Sequence, residues 1–193
     1  GEATDKLEIC QMLLNNFRKV VETVTTKMRE DVGKTTKNNF KDLIGKTLAF
    51  TNVTLNEDYR LTVIAKGEGG LNWDVTGNLS AGEKLCLALA YIAAIKGIAG
   101  YQMPLIIDTP LGKIAGRPKT FIGQRLPNFL SNTQLTLLVT DTEYVAPIVD
   151  EDEPTKLLDP FRKLIKEHVS NEYLLDYAEK GRSTSFKSMP KVK

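Results

Sequence analysis

Three short stretches of this chain carry residues whose types and spacing suit phosphate and metal chemistry. The first is Ser80-Ala81-Gly82-Glu83-Lys84, a small-residue turn that opens an apolar run. Ser80 as N-cap with Glu83 three residues on forms an S-x-x-E box, which satisfies two otherwise orphaned backbone groups. The same turn can also offer bare N–H groups and the positive end of a helix to a phosphate. The second stretch, "PLIIDTP", is an apolar strand that ends on Asp108. An acid beyond the carboxyl end of a strand can hold hydrated magnesium beside phosphates, or can simply start the Thr109-Pro110 turn. The third, "LTLLVTDTEY", is another apolar strand and ends in Thr140 and Asp141. Two strands that deliver acids to one sheet edge, after a capped glycine turn, form a rarer pattern than any one of the three.

The elements that must position these residues are legible along the chain. Leu7, Cys10, Leu14, Phe17, Val21, Val24 and Met28 recur at alternating three-and-four spacing. This is the seam of a coiled coil or the inner stripe of a long amphipathic helix packed on its own domain. The pattern weakens at "DVGKTTKN", and "NFKDLIGK" reads as a separate short helix. "AFTNVTL" and "YRLTVIAK" predict two strands, with Tyr59, Leu61, Val63 and Ala65 on one face. A glycine-rich connection leads to a helix over 81–96 that Gly97 and Gly100 should stop. A helix near 119–130 separates the strands that end in Asp108 and Asp141. Helical segments are expected near 156–168 and 171–179, followed by a disordered basic tail. Trp73 and Tyr59 read as packing residues.

Composition narrows the functional classes. The 193 residues carry 26 Lys and Arg against 24 Asp and Glu, so any nucleic-acid surface must be local. Such a patch is offered by Lys113, Arg117, Lys119 and Arg125, and by the tail with Lys180, Arg182, Lys187, Lys191 and Lys193. No stretch is long and apolar enough to span a membrane, and the N-terminus lacks a signal-peptide core. Cys10 and Cys86 read as two buried free thiols, and His168, the single histidine, as a partly exposed helix residue that rules out a histidine metal cluster.

In this order and spacing, the pieces resemble the C-terminal lobe of an ABC-type ATPase head of the SMC group. "LSAGEK" is similar to the signature motif and "PLIIDTP" to Walker B, while "LGKIAG" stands in the D-loop place and "LLVTDTEY" in the switch-strand place. Within the group, the set is most like DndD-type DNA sulfur-modification ATPases and defence-associated relatives. The resemblance implies an α/β fold: a coiled-coil base helix and connector over 1–46, the lobe over 47–149, and a helical extension with a basic tail over 150–193. It implies ATP and Mg2+ as cofactors. Ser80, Ala81 and Gly82 would be ligands to the γ-phosphate of ATP held on an opposing head, with Glu83 and Lys84 shaping the helix start. Asp108 would hold magnesium, and Gly112, Lys113, Ile114 and Ala115 would form the D-loop.

The pattern also departs from the group. Thr109 stands where a glutamate usually positions the attacking water, and Asp141 stands where a histidine is usual. Ile114-Ala115-Gly116 replaces the D-loop Leu-Asp. "GKTT" at 33–36 and "GKT" at 45–47 lack the earlier glycine of a P-loop, since Met28 and Phe40 hold those positions; both are decoys. The expected partners are therefore a Walker A lobe on the same or another chain, a second copy of the head, DNA, and nuclease or modification proteins, in a prokaryotic, nucleoid-associated cytoplasmic setting. Three functions fit: an ATPase coupled to DNA processing, a non-hydrolysing ATP-gated clamp or scaffold, and a fold that no longer binds nucleotide.

Overall fold

A computed structural model describes residues 2–44, 50–100, 103–112, 114, 116–129, 133–150, 153, 155–178 and 183–189. The chain divides into two compact units, residues 1–102 and 103–193, so the boundary falls inside the stretch 47–149.

The first unit is built on α1 (Glu2–Ile44), 43 residues in one helix. The break expected at "DVGKTTKN" does not occur. The reason is tertiary: from Val32 onward the helix buries Val32, Thr36, Phe40, Leu43 and Ile44, and that packing overrides weak local propensity. Residues 4–24 are all exposed, including the seam residues Leu7, Phe17 and Val21. The stripe therefore does not pack on its own domain, and Cys10 is exposed rather than buried. Gly33-Lys34-Thr35-Thr36 lies inside α1, which removes it as a phosphate loop. The second decoy, 45–47, lies outside the described residues.

Strands β1 (Phe50–Leu55), β2 (Leu61–Lys66) and β3 (Asn72–Asp74) form an antiparallel sheet in that order. Phe50 stacks against Phe40 with ring centroids 5.3 Å apart, which ties the sheet to α1. Tyr59 does not join β2: it sits at φ 59° in the Asn56–Arg60 turn, where its N–H donates to the Asn56 carbonyl. Tyr59 and Trp73 are both exposed, against the packing role expected of them. Helix α2 (Ala81–Ala99) follows and packs on α1 through Cys86, Leu87, Leu89, Ala90 and Ala94. Asn39 Nδ2 donates across this contact to the Ala90 carbonyl at 3.3 Å. Burial pushes the Cys86 thiol up to about 12, which leaves it inert. Helix α2 passes through Gly97 and ends at Gly100, whose φ of 68° makes the left-handed C-cap; a glycine without that geometry does not stop a packed helix.

The second unit contains β4 (Leu105–Asp108), α3 (Gly116–Phe129) and β5 (Leu135–Leu138). Strands β4 and β5 are parallel, with Asp108 opposite Leu138. The crossover helix buries Lys119, Ile122 and Leu126. A four-residue helix, α4 (Asp141–Tyr144), is followed by the short pair β6 (Ile148–Val149) and β7 (Leu157–Leu158), then α5 (Phe161–Ile165) and a 3-10 turn, Lys166–His168. His168 is exposed, as expected. Strands β8 (Tyr173–Ala178) and β9 (Ser183–Ser188) form a hairpin. Here the sequence reading fails twice: Tyr173–Ala178, within the stretch expected to be helical, is strand, and part of the supposedly disordered tail is its partner. The alternation that marks β9, Ser-Thr-Ser-Phe-Lys-Ser, is polar on both faces and hides the strand.

Candidate functional site

The candidate residues fall in two sets, one in each unit. In the first, Ser80 is the N-cap of α2 with extended backbone. Its Oγ accepts from the Glu83 N–H at 3.2 Å, and its own N–H donates to Glu83 Oε2 at 2.9 Å, so the capping box forms in full. The Lys84 N–H closes the first turn onto the Ser80 carbonyl, and Lys84 Nζ reaches the Gly77 carbonyl at 3.4 Å. Because first-turn amides have no intrahelical acceptor, the Ala81 and Gly82 N–H groups stand at the positive end of a 19-residue helix. Ser80, Ala81 and Lys84 are exposed, and Gly82 and Glu83 half-buried. Ser80 Oγ uses a lone pair on the cap, which leaves its O–H proton to donate outward. Capping and phosphate binding are therefore compatible at this residue.

In the second set, the register of β4 and β5 puts the turn after Asp108 and the turn after Leu138 at the same carboxyl edge. Asp108 is exposed at the end of β4, and Asp141 is exposed at the start of α4. Thr109 extends the ladder by one bond, its N–H donating to the Leu138 carbonyl at 2.8 Å. Its φ of 45° is unusual for a β-branched residue, and strain of this kind gathers at functional turns. From there the chain dives inward: Pro110, Leu111 and Ile114 are buried. Of the D-loop candidates, Gly112 is exposed, while Lys113 and Ala115 lie outside the described residues.

Glu143 holds this edge together, and sequence reasoning missed it. Its side chain is buried at 4% exposure. Oε2 accepts from the Thr140 N–H at 2.9 Å and from the Thr140 hydroxyl at 3.0 Å. Oε1 accepts from the Leu111 N–H at 3.1 Å, across 32 residues. The T-x-x-E spacing of 140–143 was the available signal, the same box as at Ser80. Lys119 lies beside it, itself buried, with Nζ 3.5 Å from the Thr142 carbonyl. Burial pulls the Lys119 pKa down, and the Glu143 charge opposes that shift. Lys119 is thus withdrawn from the expected basic surface because its charge is spent internally. Arg125 is half-buried with its guanidinium 5.1 Å from the Phe121 ring centre, and Lys113 and the Arg117 side chain lie outside the described residues. On the other side of α4, the Tyr144 hydroxyl donates to Glu172, which Arg162 grips through Nε at 3.1 Å and a second nitrogen at 2.5 Å.

Among the described residues, no three His, Cys, Asp or Glu side chains cluster as a metal site. No described helix is long and apolar enough to cross a membrane.

No protein-family model matches the chain, and no curated protein matches it. Solved structures do. An SMC ATPase, from work on ATP-driven dimerization and DNA-stimulated activation, superposes with a TM-score of 0.58 at 13% identity, covering 87% of this chain and 89% of that one. The Smc head domain with coiled coil and joint from Pyrococcus yayanosii gives 0.63 at 14% identity, covering 93% of this chain and 30% of its own. The Smc head with an extended coiled coil from Pyrococcus furiosus, bound to the C-terminal domain of ScpA, gives 0.62 at 15% identity, with 92% and 39% covered. The chain spans less than half the length of either Pyrococcus protein. At these identities the likeness establishes the fold: an α/β SMC-type head lobe with a long N-terminal helix.

Proposed function

We propose that this chain is the C-terminal half of an SMC-like ATPase head that binds ATP across a head–head dimer and couples it to DNA processing. The observation that carries the reading is the β4–β5 edge. Adjacent parallel strands bring Asp108 and the Thr140-Asp141 turn to one carboxyl edge, the place where open α/β sheets take ligands. The outward face of the pair supports completion by another lobe. Ile106 is 68% exposed and Leu138 43%, whereas parallel sheets are covered on both faces. The Walker A residues would come from that lobe, and a second copy of the head would complete the nucleotide site. We assign the division of labour as before: base helix over 1–46, lobe over 47–149, extension over 150–193.

In this reading ATP supplies the phosphoanhydride and Mg2+ neutralises its charge. Asp108 would hold the magnesium shell, and Asp141 would orient the attacking water or sense the γ-phosphate. Ser80, with the Ala81 and Gly82 amides, donates to a phosphate of the opposing head. Lys84 and Glu83 fix the helix start, and Gly112, Lys113, Ile114 and Ala115, in the D-loop place, would meet the dimer partner. A threonine cannot serve as a carboxylate base, so Thr109 makes turnover slow. Thr109 in the glutamate place and Ala115 in the D-loop place support the second reading, a non-hydrolysing ATP-gated clamp or scaffold that recruits a nuclease or modification partner. The motif set "LSAGEK…IIDTPLGKI…LLVTDTEY" supports DNA sulfur modification or phage defence as the pathway.

Calorimetry and turnover assays test this. The chain alone should bind ATP·Mg negligibly, and affinity should appear once a Walker A lobe is added. Micromolar binding by residues 1–193 alone would refute the division into lobes. A completed head that neither binds nucleotide nor dimerises with it would refute the function.

A further inference from the structure

We propose that Glu143 is a positioning residue whose two carboxylate oxygens strap the turn after β4 to the turn after β5, so that Asp108 and Asp141 are held as one unit. The inference rests on the roles given above to those two aspartates. Asp108 and Thr109 are exposed at the end of β4, and Asp141 is exposed where α4 begins. Thr109 is followed by a 3.5 Å backbone contact from Gly112, a weak closure, and α4 is a single helical turn. The Thr109–Leu138 ladder bond joins the two strand ends, and the turns beyond them still need a tie to each other. Glu143 supplies that tie through three hydrogen bonds to a buried carboxylate, and charge-assisted bonds of this kind are the strong ones.

The close fit around the strap agrees with this role. A Cβ added at Gly112 would lie 3.1 Å from Glu143 Oε1, so the glycine leaves room for the carboxylate to reach the Leu111 amide. From the α3 side, buried Lys119 reaches the Thr142 carbonyl at 3.5 Å and lies within the field of the Glu143 carboxylate. Tyr144, the next residue, anchors α4 to Glu172 in the opposite direction. Helix α4 is therefore fixed from two sides, and the β4 turn is fixed to it. Glu143 is buried and touches no substrate, so it acts through the geometry of the two aspartates.

Amide hydrogen exchange on the 193-residue chain tests the strap directly, without nucleotide. Glu143→Ala should speed exchange at Leu111 and Thr140 by about tenfold or more, as expected for loss of a bond to a charged acceptor, while α1 and α2 keep their protection. Glu143→Gln keeps one acceptor oxygen, so one of the two amides should stay protected; it also serves if the alanine variant fails to fold. In the completed head, Glu143→Ala should lower kcat by about 10² with KM for ATP unchanged, as expected for misplaced groups, and Glu143→Gln should recover part of it. Unchanged exchange at Leu111 overturns the proposal, and so does faster exchange with full kcat. A wild-type head with no turnover overturns the ATPase reading instead, and exchange alone then decides the strap.

Discussion

Two S/T-x-x-E boxes in this molecule share a sequence pattern and differ in what they do. At Ser80 the box is local. Glu83 returns to the Ser80 amide at 2.9 Å, the Ser80 hydroxyl accepts from the Glu83 amide at 3.2 Å, and Ser80 and Ala81 are open to solvent. At Thr140, Glu143 makes the same return at 2.9 Å, but its second oxygen crosses to Leu111 and its side chain is buried. One box finishes a helix and leaves its first amides available. The other uses a helix start as the anchor for a separate strand end. A capping motif thus says where a helix begins; burial decides whether its carboxylate is a local cap or a long-range tie.

The contrast can be broken experimentally, and the largest effect belongs to the exposed box. Ser80→Arg in the completed head should abolish ATP-driven dimerisation, measured by light scattering, with the fold retained. Early melting with dimerisation intact would make Ser80 a cap and nothing more. Next come the strand-end acids. Asp141→Asn should cut turnover by about 10²–10⁴ with nucleotide affinity preserved, the range for loss of a general base. Asp108→Asn should weaken magnesium-dependent binding as well, because Asp108 would hold the ion that neutralises the phosphate charge. Wild-type turnover in Asp141→Asn would leave that residue a plain strand-end acid.

Stability separates the boxes further. Glu143→Ala strands the Leu111 and Thr140 amides and leaves Lys119 without its counter-charge, so denaturant melts should show a loss of about 3 kcal/mol. Ser80→Ala removes one exposed cap, and about 1 kcal/mol is expected. Equal losses would erase the distinction between the two.

The smallest effect is a pH limb set by the anchor on the far side of α4. The Arg162 guanidinium, helped by the Tyr144 hydroxyl, holds the Glu172 carboxyl below the usual glutamate range. Burial first, then Glu172, pushes the Tyr144 hydroxyl above its ordinary value. Glu172 therefore stabilises fully above about pH 4.3, its unfolded value, and loses that contribution as pH falls through the lower folded one. Tyr144 contributes below about pH 10 and loses its share as pH rises further. Thermal melts of Glu172→Gln should show a flatter acid limb than wild type. An unchanged limb would mean that the anchor carries no linked proton.

The sequence by itself determined the features that depend on near neighbours. The seam spacing of Leu7 to Met28, the Ser80 box, the apolar strand ending at Asp108 and the apolar strand just before Thr140 and Asp141 all rest on periodicity or capping within a few residues. Only the tertiary structure decided the rest. It carried α1 unbroken to Ile44, because Phe40 and Leu43 found a core to enter. It paired β8 with β9, where an exposed hairpin holds Tyr173 and Phe186 without a buried face to announce it. It turned Lys119 inward and sent Glu143 to Leu111. Those outcomes depend on which distant groups share a desolvated space, and a charge or a strand edge records nothing in sequence about the partner that will satisfy it.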